Sequence, residues 1–148
     1  MSTYTQTLYQ VVFSTKHRIP CMTPNNQRRL YRYFYGALIK RKCFCFRING
    51  VEDHVHLLFS LHSSVSLATI VKEIKGAGTY IIKEENLFKD FRGWQIGYGA
   101  FTYDQNAKYN LIKYIINQEE HHKKEDFIPE FKRLLRQHKI PFDPKFLE

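Results

Sequence analysis

Apolar and polar positions along the 148-residue chain change period several times, and each change marks an element. Leu8 to Ser14 (Leu-Tyr-Gln-Val-Val-Phe-Ser) is a short run rich in β-branched and aromatic residues and predicts a first strand. Thr23-Pro24 then supplies a helix N-cap and a first-turn proline. Leu30, Phe34, Ala37 and Leu38 share one stripe of a helix expected to reach about Lys42. From Cys43 to Asn49 the residues alternate, with Phe44, Phe46 and Ile48 on one side, and Asn49-Gly50 can turn the chain into a hairpin. In the second arm, Asp53 to Leu61, Val55, Leu57, Phe59 and Leu61 share one face while His54, His56, Leu58 and Ser60 share the other. The first of these should be the core face.

Ser66 predicts the cap of a helix running to about Lys75, with Gly76 and Gly78 marking its end. Trp94 to Tyr103 reads as a strand. From about Gln105 to Lys124 runs the longest helical pattern, with Leu111, Ile112, Ile115 and Ile116 as its apolar arc. Pro129 should close it and start a basic helix to about His138. The order of strand, helix, hairpin, helix, strand and long helix predicts an α+β fold. Its ferredoxin-like or RRM-like antiparallel sheet would carry helices on one face and leave the other open. With no repeat, low-complexity tract or Gly/Ser linker, residues 1–148 are expected to form one domain.

Composition adds a partner. Residues 1–51 hold Lys16, Arg18, Arg28, Arg29, Arg32, Lys40, Arg41, Lys42 and Arg47 with no Asp or Glu, so the net charge of +9 originates in the first third. A one-signed region of this kind is an electrostatic footprint for a polyanion, nucleic acid above all. No stretch approaches the roughly 20 apolar residues of a membrane span. The start of the chain lacks a charged leader followed by an apolar run, and the three cysteines, Cys21, Cys43 and Cys45, predict reduced thiols, so a cytoplasmic location is expected.

Two patterns could carry chemistry. In His54-Val55-His56 the strand period of two sends both imidazoles to one side, about 7 Å apart along the chain, where they can converge on a metal. On the long helical pattern, Tyr114 and Gln118 lie one turn apart at the edge of the apolar arc, with His121 and His122 near the same stripe a turn later. Alternate histidines also occur on strands without metals, and tyrosines at helical spacing are usually packing groups, so neither pattern decides the chemistry alone.

Together they reach a family. Asp53-His54-Val55-His56-Leu57-Leu58, Trp94-Gln95-Ile96-Gly97-Tyr98-Gly99-Ala100-Phe101 and Tyr114-Ile115-Ile116-Asn117-Gln118-Glu119-Glu120-His121-His122 resemble, in order and spacing, the single-tyrosine HUH transposases. These include insertion-sequence transposases and the REP-associated tyrosine transposases, and Val12-Phe13-Ser14-Thr15-Lys16-His17-Arg18 resembles the family's first strand. The resemblance implies Tyr114 as nucleophile on single-stranded DNA, through a 5′-phosphotyrosine link that leaves a 3′-hydroxyl. It implies His54, His56 and Gln118 as metal ligands, DNA with hairpin ends as partner, and a homodimer in which the tyrosine can act in cis or in trans.

The physical chemistry agrees with those implications. A phenol of pKa near 10 is ionised in only about one molecule in a thousand at neutral pH, and its attack on an anionic phosphodiester is repelled. A divalent cation offsets that repulsion, and two imidazoles with a neutral amide leave positions open, as suits Mg²⁺ or Mn²⁺. A closed zinc site needs a fourth ligand, which the sequence does not identify. Lys16, Arg18, Arg28, Arg29, Arg32, Arg41 and Lys42 are the candidate contacts to DNA phosphates. Two other readings stay open: a domesticated REP-associated enzyme that processes palindromic repeats, and a non-catalytic module that stacks RNA bases on sheet aromatics.

Overall fold

The two alternating segments in mid-chain pair as an antiparallel hairpin, β2 (Phe44–Gly50) and β3 (His54–Ser60), in the computed structural model, which describes residues 1–147. Glu148, the last residue of the expected domain, lies outside that range. β1 (Tyr9–Ser14) pairs with the far edge of β3 and β4 (Gly99–Thr102) with β1, giving the antiparallel order β2-β3-β1-β4. Helices α1 (Pro24–Lys40) and α2 (Leu67–Glu84) bury their stripes on one sheet face, where Leu30, Phe34, Leu38, Ile70, Ile74 and Ile81 meet Val11, Phe13, Val55, Leu57 and Phe59. The expected ferredoxin-like α+β arrangement is therefore present, and the faces of β3 divide as the alternation predicts.

Four local expectations are corrected. The face expected to be open is covered by α3 (Lys108–Ile116), α4 (Gln118–His122) and α5 (Phe127–Gln137). The reason is apolar surface on that face. Leu8 and Leu58 need Ile115, while Val12 and Phe101 need Phe127, Leu134 and Leu135.

Helix α2 does not stop near Lys75 but continues to Glu84. Gly78 serves contact rather than termination: a Cβ there would lie 2.7 Å from the Phe34 ring and 3.1 Å from that of Trp94. Trp94 makes only an isolated bridge to Thr15 and the strand proper begins at Gly99, because Gly97 adopts a positive φ of 89° that extended pairing cannot hold.

The long helix is divided at Asn117 into α3 and α4. Asn49, opposite His56 in the sheet, donates its side-chain amide to the carbonyls of Ile115 (2.9 Å) and Ile116 (3.1 Å). In an unbroken helix those carbonyls accept from the residues four positions on. A strand residue has thus taken over the acceptors that helical continuity requires. No helix is long and apolar enough to cross a membrane among the described residues.

Asn49→Ala removes both hydrogen bonds at the break and is expected to lower stability by about 1–3 kcal/mol. Urea unfolding with an unchanged m-value is the check, and amide shifts confined to residues 115–120 should accompany it.

Candidate active site

The site begins with two imidazoles that β3 sends to one face, with ring centroids 5.2 Å apart. Around them the other elements deliver polar groups. α3 supplies Tyr114, α4 supplies Gln118, His121 and His122, and α5 supplies Glu130 and Arg133. His54, His56, Gln118 and Glu130 are all inaccessible to solvent.

Glu130 is the centre of the cluster, and its two oxygens face different partners. Oε1 lies 3.1 Å from His56 Nε2, 3.2 Å from His122 Nε2 and 3.3 Å from His54 Nε2. Oε2 accepts a short hydrogen bond from the Tyr114 hydroxyl and a longer one, 3.3 Å, from the Gln118 amide. The Gln118 oxygen in turn faces His122 Nε2 at 3.0 Å. Arg133 donates to the Tyr114 oxygen at 2.9 Å, and a recess of about 490 Å³ lined by Tyr114, Asn117, Glu120, His121 and Lys124 opens in front of the phenol.

An outer layer orients the histidines. His54 Nδ1 is 2.7 Å from the Asp53 carboxylate. His56 Nδ1 is 3.0 Å from the Gln10 amide, whose oxygen accepts from the Tyr103 hydroxyl at 2.7 Å.

The charges follow from these contacts. Burial pushes the Glu130 carboxyl up, but His122, the close approach of His54, and His56 together outweigh it and hold the group well below the usual carboxylate range. Burial lowers His56 to about 4, only partly opposed by Glu130. Burial also opposes charge on His54, yet Asp53 and Glu130 together raise it above the ordinary imidazole value. For Tyr114, burial and then the charge of Glu130 push the phenol up, with Arg133 pulling the other way.

The residues fit a cation. His54 Nε2 is fully buried and has no hydrogen-bond partner, since its approach to Glu130 lacks hydrogen-bond geometry. With Asp53 on the opposite ring nitrogen, its lone pair is aimed into the cluster, the arrangement in which a carboxylate steadies a metal-binding imidazole. His54, His56, His122 and Glu130 offer ligand atoms that all lie within 4.8 Å of one another.

The structure thus brings Tyr114, His54, His56 and Gln118 together. It also adds His122, Glu130, Arg133 and Gln10. One signal for Glu130 was available: it is an acid set in the apolar stripe of α5, between Phe127 and Leu134.

The basic residues do not form one surface. Arg28 and Arg32 line a groove of about 490 Å³ between α1 and β2 with Tyr31, Tyr35, Arg47 and Asn49. Arg29 pairs with Glu85 at 2.6 Å and Arg41 with Glu73, both across to α2. Lys42 follows α1, while Lys16 and Arg18 lie in a 3₁₀ turn after β1, where Arg18 donates to the Leu147 carbonyl.

The sequence profile of a family described as IS200-like transposases matches residues 3–118. The chain belongs to that family. Two solved structures share the transposase fold. One, provisionally assigned as a transposase from Deinococcus radiodurans R1, is 19% identical with a TM-score of 0.61, covering 80% of this chain and 95% of that one. The other is a REP-associated tyrosine transposase bound to a REP hairpin, 14% identical with a TM-score of 0.60, covering 82% of this chain and 74% of that one. No curated protein matches by sequence. In this transposase, His122, Glu130 and Arg133 all lie beyond the matched segment.

The neutral burial of His56 has a pH signature in the metal-free transposase. Its folded pKa of about 4 lies below the ordinary value of 6.5, so between those limits the unfolded chain takes up a proton that the folded chain refuses. Stability attributable to this group should fall as pH drops through that window, by about 1.4 kcal/mol per pH unit. His54, raised, acts in the opposite direction above 6.5. Thermal unfolding in a chelator from pH 7 to 4.5 checks this, and His56→Asn should flatten the slope.

Proposed function

We propose that this transposase cleaves and rejoins single-stranded DNA through Tyr114, the whole chain acting as one catalytic unit. The phenolic oxygen attacks a backbone phosphorus, the bond to the 3′-oxygen breaks, and a 5′-phosphotyrosine and a free 3′-hydroxyl result. Attack by a 3′-hydroxyl on the phosphotyrosine reverses the step and joins strands. Because the energy of the phosphodiester is kept in the covalent link, no nucleotide cofactor is needed.

The observation that carries this reading is the meeting of the Tyr114 hydroxyl with the histidine pair around one buried carboxylate. Glu130 is the group placed to accept the phenol's proton, and Arg133 is placed to stabilise the phenolate. The imidazoles of His54 and His56, with Gln118 beside them, would hold a divalent cation such as Mg²⁺ or Mn²⁺. When bound, such an ion supplies charge neutralisation for the phosphoryl oxygens. The solved neighbour bound to a REP hairpin supports hairpin DNA as the partner and keeps the repeat-processing role within the same chemistry. The groove of Arg28, Arg32 and Arg47 is our candidate path for its phosphates. Tyr114 reaches His56 within one chain, their rings 5.9 Å apart, which supports action in cis within the expected homodimer.

Labelled single-stranded hairpin DNA with Mg²⁺ or Mn²⁺ should give a covalent adduct that Tyr114→Phe abolishes. Mixing Tyr114→Phe with His54→Ala protein should not restore it, whereas restoration would show shared sites. For binding, each of Arg28→Ala and Arg32→Ala should reduce the slope of log affinity against log salt by about 0.7, the contribution of one single-strand phosphate. An unchanged slope would remove the groove from the DNA path.

A further inference from the structure

We infer that the loop Gly93-Trp94-Gln95-Ile96-Gly97-Tyr98 is a wedge that parts bases. Ile96 enters the stack at the foot of a bound hairpin, where stem becomes single strand, and the basic turn Lys16–Arg18 holds the flanking phosphates. This goes beyond the chemistry proposed for Tyr114 and rests on that reading only for its substrate, DNA with hairpin ends.

Ile96 is 97% exposed and Tyr98, two residues on, is 40% exposed, whereas Trp94 packs inward against Phe13, Phe34 and Phe91. An apolar side chain left in water contributes no burial to folding. The loop is nonetheless fixed on both sides of it.

The Lys75 ammonium donates to the Gln95 carbonyl at 2.9 Å and to the Gly97 carbonyl at 2.6 Å. In return, the Trp94 indole donates to the Lys75 carbonyl at 2.9 Å. The Gln95 amide reaches the Ser14 carbonyl at 2.9 Å, and its side-chain oxygen accepts from the His17 amide at 3.0 Å. Gly97 completes the bend with a φ of 89°, which a side chain would resist. Ile96 is therefore presented at a set place before any partner arrives, which lowers the cost of ordering it on binding.

The charge around it selects the partner. The Lys16 amide donates to the Gly93 carbonyl at 2.8 Å, so the loop and the basic turn form one unit. Residues 14–18 and 93–98, with Lys75 beneath them, carry Lys16, Arg18 and Lys75 and no Asp or Glu. None of the three cations forms an ion pair among the described residues. A second copy docking here across a two-fold axis would set these cations against one another, whereas DNA neutralises them. Proteins that kink DNA part base steps with the same components, an apolar wedge between cations on the phosphates.

The position suits that task. Ser14 pairs with His54 in the sheet and Gln95 is bonded to Ser14, so the loop backbone lies two strand spacings, about 10 Å, from that of His54. That distance is about three stacked base steps. A wedge there would open the stem about three nucleotides from the phosphate that Tyr114 attacks, and so deliver it unpaired.

The test uses hairpin DNA with a single-stranded flank, carrying 2-aminopurine, which brightens on unstacking, at successive positions of its foot. Binding is read in a chelator, apart from cleavage. The expected result is brightening at one step, about two to four nucleotides from the linkage mapped in the covalent adduct. Ile96→Ser should abolish the brightening and weaken hairpin binding about 10-fold, the lower end for burying one such side chain, while affinity for an unstructured strand of equal length is kept. Ile96→Leu should retain both. Because the side chain is exposed, circular dichroism should show an unchanged fold and sedimentation an unchanged mass. Brightening that persists in Ile96→Ser, or that never occurs with the unaltered chain bound, would overturn the wedge and leave the chemistry of Tyr114 standing. A changed mass in Ile96→Ser would assign the patch to a subunit contact and overturn it as well. Failure of the unaltered chain to bind hairpin DNA would overturn the wedge together with the substrate on which it rests.

Discussion

A carboxylate removed from water costs several kcal/mol unless charged or hydrogen-bonding partners replace its hydration, and Glu130 is removed completely. Its partners come from three elements, β3, α3 and α4. What carries the charge inward is the rest of α5. Phe127, Leu134 and Leu135 bury against Val12 and Phe101, and Glu130 lies on the same stripe. Apolar burial on that helix stabilises the placement of an anion that would otherwise remain in water. Truncating the apolar face of α5 would therefore disturb the chemistry of the site as well as its packing.

A helix break lies within the site, at Asn117. Were α3 and α4 continuous, the carbonyls of Ile115 and Ile116 would be satisfied within the helix, and Asn49 would lose its partners. Tyr114 stands before the break and Gln118 and His122 after it, and a phenol, an amide and an imidazole from consecutive turns all meet one acid. Because Asn49 stands opposite His56 in the hairpin, the strand that presents the histidine pair is coupled directly to the position of the helices facing it.

What could be read from the sequence follows the range of the forces involved. Alternation in β3 and the placement of His54 and His56 rest on side-chain period alone, which is local, and so does the spacing of Tyr114 and Gln118 on a helical stripe. In β2 a bulge between Cys45 and Arg47 breaks the expected alternation, so Ile48 joins the core face and Phe46 the opposite one. Gly76 and Gly78 were read as a helix end because glycine disfavours helix, yet the contact of Gly78 with Phe34 and Trp94 is tertiary and prevails. The division at Asn117 depends on the bond of Asn49 to Ile115, 66 positions apart, and the tie of Glu130 to His56 spans 74. Neither leaves a periodic trace. The basic first third was legible as charge, but its separation into a groove, pairs with α2 and a turn near β1 required the fold.

The chain of Tyr103, Gln10 and His56 has a direction. With Gln10 donating to His56 Nδ1 and accepting from Tyr103, His56 carries its hydrogen on Nε2, the side facing Glu130. An ion on Nε2 would move that hydrogen to Nδ1, and Gln10 would then need to turn its oxygen toward the ring and its NH₂ toward the tyrosine. The polarity of all three links would reverse together, so occupancy at the buried centre would be written into the orientation of a single amide on β1. Tyr103, half-buried just past β4, is where that record comes nearest the surface.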